Sequence, residues 1–205
     1  SETTSTLLHI PRVSASVAGD FVVVWQSDLQ DGSNDGVFGQ RYDRLGVAVG
    51  SEFQVNTEFS STQTRPNASA LSDGGFVVVW DSATSGTAGD GNQFGVFGQR
   101  YDAAGNEVGV EFQVNTAVAG DQYEAVVAGL TGGGFVVAWR TDGGQDGSGS
   151  GVFAQRYDAT GNAVAASFDV SVVDTGTPTL SVPAVTVTEA AAGPAGATVD
   201  YAALV

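Results

Sequence analysis

Three short stretches of the chain are apolar at every position: Phe21-Val-Val-Val-Trp25, Phe76-Val-Val-Val-Trp80 and Phe135-Val-Val-Ala-Trp139. A run of this kind predicts an inner strand covered on both faces. Each is followed, after a loop rich in Asp and Gly, by a stretch in which the two faces differ. In the first copy Phe38, Gln40 and Tyr42 fall on one side and Val37, Gly39 and Arg41 on the other, which suits a strand nearer an edge. A further alternation, with Phe112 and Val114 opposed to Glu111 and Gln113, predicts a half-exposed outer strand. Before each apolar block stands a shorter strand, around Arg12–Val17, Asn67–Leu71 and Ala125–Leu130. Ala18-Gly19-Asp20, Ser72-Asp73-Gly74-Gly75 and Thr131-Gly132-Gly133-Gly134 then supply the positive-φ residues of a tight hairpin turn.

The elements recur because the sequence does. Gly-Val-Phe-Gly-Gln-Arg-Tyr-Asp occurs at 36–43 and 95–102, and again at 151–158 with Ala154 in place of the second glycine. Glu-Phe-Gln-Val-Asn-Thr closes the first two copies, and Ser167-Phe-Asp-Val-Ser171 is its drifted third version. Only the connection between the tryptophan and the octapeptide varies, at ten, fourteen and eleven residues. Four antiparallel strands in each of three tandem repeats predict an all-β domain of propeller-like blades. A β-trefoil or a β-prism, both of which close at three units, is the alternative. The repeats occupy 11–57, 66–116 and 125–172 of a domain spanning 11–173. Residues 1–10 read as a lead-in, and 174–205, where the register is lost, as a linker and a separate segment.

Composition narrows the partners. The net charge is −16, and all seven basic residues are arginine, so nucleic acid and anionic membranes are disfavoured and cations favoured. With no cysteine there is no disulfide, thiolate metal site or cysteine nucleophile. No apolar run approaches the roughly 18 residues needed to cross a bilayer, and Ser1-Glu-Thr-Thr-Ser-Thr lacks the basic start and apolar core of a signal peptide.

The pattern Gly-Gly-Phe-Val-Val-Val-Trp, an Asp-Gly loop, Gly-Val-Phe-Gly-Gln-Arg-Tyr-Asp and Glu-Phe-Gln-Val-Asn-Thr resembles a repeat of very large secreted bacterial proteins of the calcium-dependent repeats-in-toxin and adhesin type. The resemblance covers 11–172 and implies an extracellular or cell-surface location. The Gly-Gly-x-Gly-x-Asp nonapeptides of that family's calcium-binding roll are not present as a run, so calcium binding is not carried over from that motif. Thr179-Leu-Ser-Val-Pro-Ala-Val-Thr-Val-Thr-Glu189 is similar to the opening strand of a Calx-beta domain, which implies a calcium-ligand role for Glu189.

Candidate chemistry gathers in the variable loops. Asp28, Asp31, Asn34 and Asp35 in the first, Asp81, Asp90 and Asn92 in the second, and Asp142 and Asp146 in the third offer the hard oxygens that calcium takes six to eight at a time. The same residue types also build hairpin turns, and the spacing is not that of an EF-hand. Arg41, Arg100 and Arg156, with Gln40, Gln99 and Gln155, form either a polar binding ring or ion pairs with Asp43, Asp102 and Asp158. Trp25, Trp80 and Trp139 either stack on sugars or pack in the core. His9 is the only histidine and lies outside the repeats, which leaves no base for a Ser-His-Asp arrangement. The reading is a non-catalytic, calcium-binding structural or adhesive module. A carbohydrate-binding, lectin-like propeller and a self-assembling unit that pairs with other copies of itself are the alternatives.

Overall fold

The three apolar blocks become the second strands of three separate sheets. A computed structural model describes residues 8–59, 61–83, 94–117, 119–143 and 149–170. The chain divides into units 1–173 and 174–205; the second unit, with the Calx-beta-like stretch and Glu189, lies outside the described residues. The first repeat holds β1 (Leu8–Ala15), β2 (Phe21–Asp28), β3 (Asp35–Tyr42) and β4 (Ala48–Gln54). The second holds β5 (Thr62–Ala70), β6 (Phe76–Ala83), β7 (Phe94–Tyr101) and β8 (Glu107–Gln113). In the third are β9 (Gln122–Gly129), β10 (Phe135–Thr141), β11 (Gly151–Tyr157) and β12 (Ala163–Asp169). Each sheet is an antiparallel meander in chain order, so the domain is all-β and built of three propeller-like blades.

The first strand of every blade begins earlier than the sequence pattern suggests, with β1 starting at Leu8 inside the expected lead-in. A bulge explains the difference. Ile10, Arg65 and Glu124, at matching positions, adopt φ of 51°, 50° and 56°, and the register of each first strand shifts there. An extra residue resets the alternation of faces, so a period-two pattern cannot be followed through it.

Two cores lie between neighbouring blades. Val22, Val24, Val37 and Val55 of the first blade pack against Phe76, Val78, Trp80 and Tyr101 of the second. Val77, Val79, Val96 and Val114 of the second pack in the same way against Phe135, Val137, Trp139 and Tyr157 of the third. Each blade therefore offers an aliphatic face to its successor and an aromatic face to its predecessor. The expectation that the apolar strand is covered on both faces holds fully in β6; in β2 and β10 every second residue is only half-buried, apart from exposed Arg140.

The repeated motifs are the fittings of these junctions. Phe53 lies 5.3 Å from Tyr101 and 6.3 Å from Phe76, and Phe112 stands in the same relation to Tyr157 and Phe135. Asn56 Oδ1 accepts from Val37 N–H at 2.8 Å while its amide donates to Gln63 Oε1 on the next blade at 3.1 Å. Asn115 repeats this clip with Val96 and Gln122. Gln26 Oε1 and the Asp81 carboxylate, one repeat apart, each accept the N–H of the bulge residue that follows in space, Arg65 and Glu124. The octapeptide glycine is required by the same packing: a Cβ on Gly98 would stand 2.8 Å from Phe112 Cζ, and one on Gly39 2.7 Å from Phe53 Cζ. Gly98→Ala is expected to push Phe112 out of the junction and cost about 1–3 kcal/mol; a urea unfolding midpoint equal to that of the parent sinks this account.

Candidate functional site

Because the junctions repeat, positions where one blade departs from the others stand out. The β1–β2 turn closes with Ser16 N–H on Asp20 O at 2.8 Å and Gly19 at φ 91°. The β3–β4 turn is held by Asp43 Oδ1, which accepts from Leu45 N–H at 2.9 Å and Val47 N–H at 2.8 Å. Asp20 Oδ1 ties the two turns together by accepting from Arg44 N–H at 3.1 Å. Beside these turns a cleft of about 140 Å³ opens between the first and second blades.

The cleft combines polar groups of both signs with an apolar wall. Ser14 Oγ accepts from Ala70 N–H at 2.8 Å, and its hydroxyl proton remains a donor. Arg41 donates across the junction to Ala103 O at 2.7 Å and also to Ala104 O. Ser16, Asp20 and Asp43 line the cleft too, and Val22, Val49 and Phe76 supply its apolar surface. At the second junction the corresponding group is different. Leu71 replaces Ser16 and is buried in the core, Gly75 replaces Asp20, and Arg100 is buried and paired with Asp73 at 3.3 Å. The signal for this site was present in the sequence, as the one turn that reads Ala-Gly-Asp before the Phe block instead of ending in Gly-Gly.

Among the described residues none of Arg41, Arg100 and Arg156 pairs with Asp43, Asp102 or Asp158, although Arg100 does pair within its own repeat, with Asp73. Arg41 binds backbone carbonyls and Arg100 binds Asp73, while Asp43, Asp102 and Asp158 cap the turns that follow them. Those turn bonds, chiefly from the Asn106 side chain to Asp102 and from the Thr160 hydroxyl to Asp158, hold both carboxyls below the ordinary range. Gln40, Gln99 and Gln155 donate to the carbonyl of the arginine beside them, at 2.9, 2.9 and 2.8 Å. Trp80 and Trp139 are core residues and Trp25 is half-buried.

The acidic loop residues are dispersed. Asp28 and Asp35 face each other at the end of the β2–β3 ladder. Asp31 accepts from Ser33 N–H at 3.0 Å and Gln54 Nε2 at 3.1 Å, and Asn34 contributes its carbonyl to Leu29 N–H. Asp81 is a strand residue, fully buried, accepting from Arg65 at 2.9 Å, Glu124 N–H at 2.9 Å and Ala125 N–H at 3.4 Å. Burial raises its pKa above the usual carboxylate value against the pull of these donors. Asp142 accepts from the Tyr123 hydroxyl at 2.6 Å and the Ser150 hydroxyl at 2.7 Å, bonds that lower its pKa. Asp90, Asn92 and Asp146 lie outside the described residues. Among the described residues, no three His, Cys, Asp or Glu side chains stand together as a metal would need.

No protein-family model matches the sequence, and no curated protein matches it either. Among solved structures it is similar to an α-L-arabinanase of Penicillium chrysogenum complexed with arabinobiose, at 10% identity and TM-score 0.49, over 80% of this chain and 58% of that one. An α-L-arabinofuranosidase of Fusarium graminearum, also with arabinobiose, matches at 12% identity and TM-score 0.46, again over 80% and 58%. An endo-arabinase of Bacteroides thetaiotaomicron matches at 13% and 0.41, over 66% and 50%. The chain thus spans half to three-fifths of the length of these structures.

The names of these neighbours, an arabinanase, an arabinofuranosidase and an endo-arabinase, run against the expectation of a non-catalytic calcium module, while at 10–13% identity the likeness itself is one of fold.

Proposed function

We propose that the domain binds carbohydrate, in the cleft between its first two blades. The observation that carries this reading is the chemistry of the cleft. Hydroxyls, carboxylates and a guanidinium face an apolar wall of Val22, Val49 and Phe76, which matches a sugar's hydroxyl edge and C–H face. The −16 charge disfavours an anionic ligand, so a neutral saccharide fits best. At about 140 Å³ the cleft is smaller than the roughly 300–1,000 Å³ typical of drug-sized sites, and suits a single sugar unit or the end of a chain.

Isothermal titration of the full chain with arabinobiose and a panel of other neutral oligosaccharides tests the reading, with reducing-end release followed in the same samples. Asp20→Gly gives the turn the residue found in the second blade, Gly75, and is expected to weaken binding on the order of tenfold through the lost carboxylate bond. Binding that survives this change undiminished, or no heat with any saccharide, sinks the proposal.

A further inference from the structure

The two junctions leave an unmatched half at each end of the row of blades. Val37 and Val96 are 0% exposed beneath the next blade, but Val152, the same residue of the same motif, is 41% exposed. Val55 and Val114 are 1% and 2% exposed, and Val170 is 47%. Phe168, which corresponds to Phe53 and Phe112, is 41% exposed and has no aromatic partner among the described residues. Arg156 is exposed, where Arg41 reaches the following blade's turn. At the other end the aromatic face of the first blade lacks its cover. Phe21 and Tyr42 stack at 5.0 Å as their counterparts do, yet with Val23 and Trp25 they are only half-buried, and Val13 is 66% exposed.

We propose that these faces meet across a two-fold axis, so that the aliphatic face of the third blade in one copy packs on the aromatic face of the first blade in a second copy, and the reverse. Such a contact continues the two interfaces already formed inside the chain. The outer face keeps Phe168 and Arg156, and the inner one keeps Phe21, Tyr42 and Trp25. Three fittings are lost: Ala128 stands where Ser14 and Ser69 accept an amide from the next blade, Arg140, which has no acceptor, stands where Gln26 and Asp81 cap the bulge, and Ser171 and Leu8 occupy the sequence positions of the Asn–Gln clip. The junction between copies therefore keeps the apolar contact with fewer polar ties and is weaker than those within the chain. Like charge also opposes it, so salt strengthens association by screening.

Sedimentation velocity of the full chain over a concentration series is expected to show a species of twice the 20.7 kDa monomer mass, more abundant at 0.5 M than at about 0.05 M salt. Phe168→Asp spoils one face and Val13→Asp the other; both sites are exposed, and unchanged circular dichroism checks the fold. Each variant alone is expected to dissociate on the order of tenfold more readily. Mixed together they retain one intact pair of faces and associate more than either alone. A chain that stays monomeric throughout overturns the proposal, as do variants that dimerise like the parent, or a mixture no more associated than its components. Sugar titration of the same samples reports separately on the cleft between the first and second blades.

Discussion

Phe135→Ala is expected to lower the unfolding free energy by about 3–5 kcal/mol, the range for removing a fully buried aromatic ring from a core that cannot collapse around the gap. Phe135 is 0% exposed, stacks on Tyr157 at 4.6 Å and meets Phe112 of the preceding blade at 6.3 Å. Its counterpart Phe21 opens the same Phe-Val-Val-Val-Trp type of block and stacks on Tyr42, but no preceding blade covers it. Phe21→Ala in dilute monomer should therefore cost less, on the order of 1–2 kcal/mol for a ring that stays partly wet. Urea midpoints at matched slope measure both. Equal losses at the two sites would show that the aromatic faces contribute within their own sheets, not between blades.

Asp81→Ala should cost roughly 2–4 kcal/mol, because it strands the part-buried N–H of Glu124 and the buried N–H of Ala125 and leaves Arg65 without its carboxylate. Asp81→Asn keeps an acceptor for the amide and should cost less. The pH dependence carries the sharper test. Burial raises the carboxyl's pKa in the folded state above its ordinary 3.8, so the native protein holds this proton more tightly than the unfolded chain. Its contribution is then fully present below pH 3.8 and declines as pH rises from there through the raised value. Asp102, Asp142 and Asp158 act in the opposite sense, their contributions fading only as pH falls below the same 3.8. Asp81→Asn should remove the part that declines as pH rises above 3.8. An unaltered stability profile above that pH means the carboxyl is not perturbed by burial.

Much of the fold was legible because its signals are local. Gly-Gly and Asp-Gly turns, the apolar second strands and the polar-faced β4 and β8 mark four strands per blade whatever surrounds them. The first strands were legible only in part, since the left-handed residue at Ile10, Arg65 or Glu124 breaks the alternation by which a strand is recognised. Burial was hidden for a different reason: β2 and β6 share their first five residues, yet only β6 has a neighbouring blade on both sides. Acidic residues are ambiguous in sequence because Asp suits a turn cap, an ion pair and an ion site equally; Asp43, Asp102 and Asp158, read as arginine partners, cap turns instead. Asp81 was grouped with the loops although it directly follows Trp80 within β6.

A motif copied three times is thus placed under three different constraints. Val96 and Val152 occupy the same place in the same octapeptide, but only the first is sealed against a following blade. Polar or larger side chains that would ruin the middle copy can be borne at the last one, so drift in the repeat is set by position in the row. Ala154 in place of the octapeptide glycine, and Ser167-Phe-Asp-Val-Ser171 in place of Glu-Phe-Gln-Val-Asn, are the form this relaxation takes in the present chain.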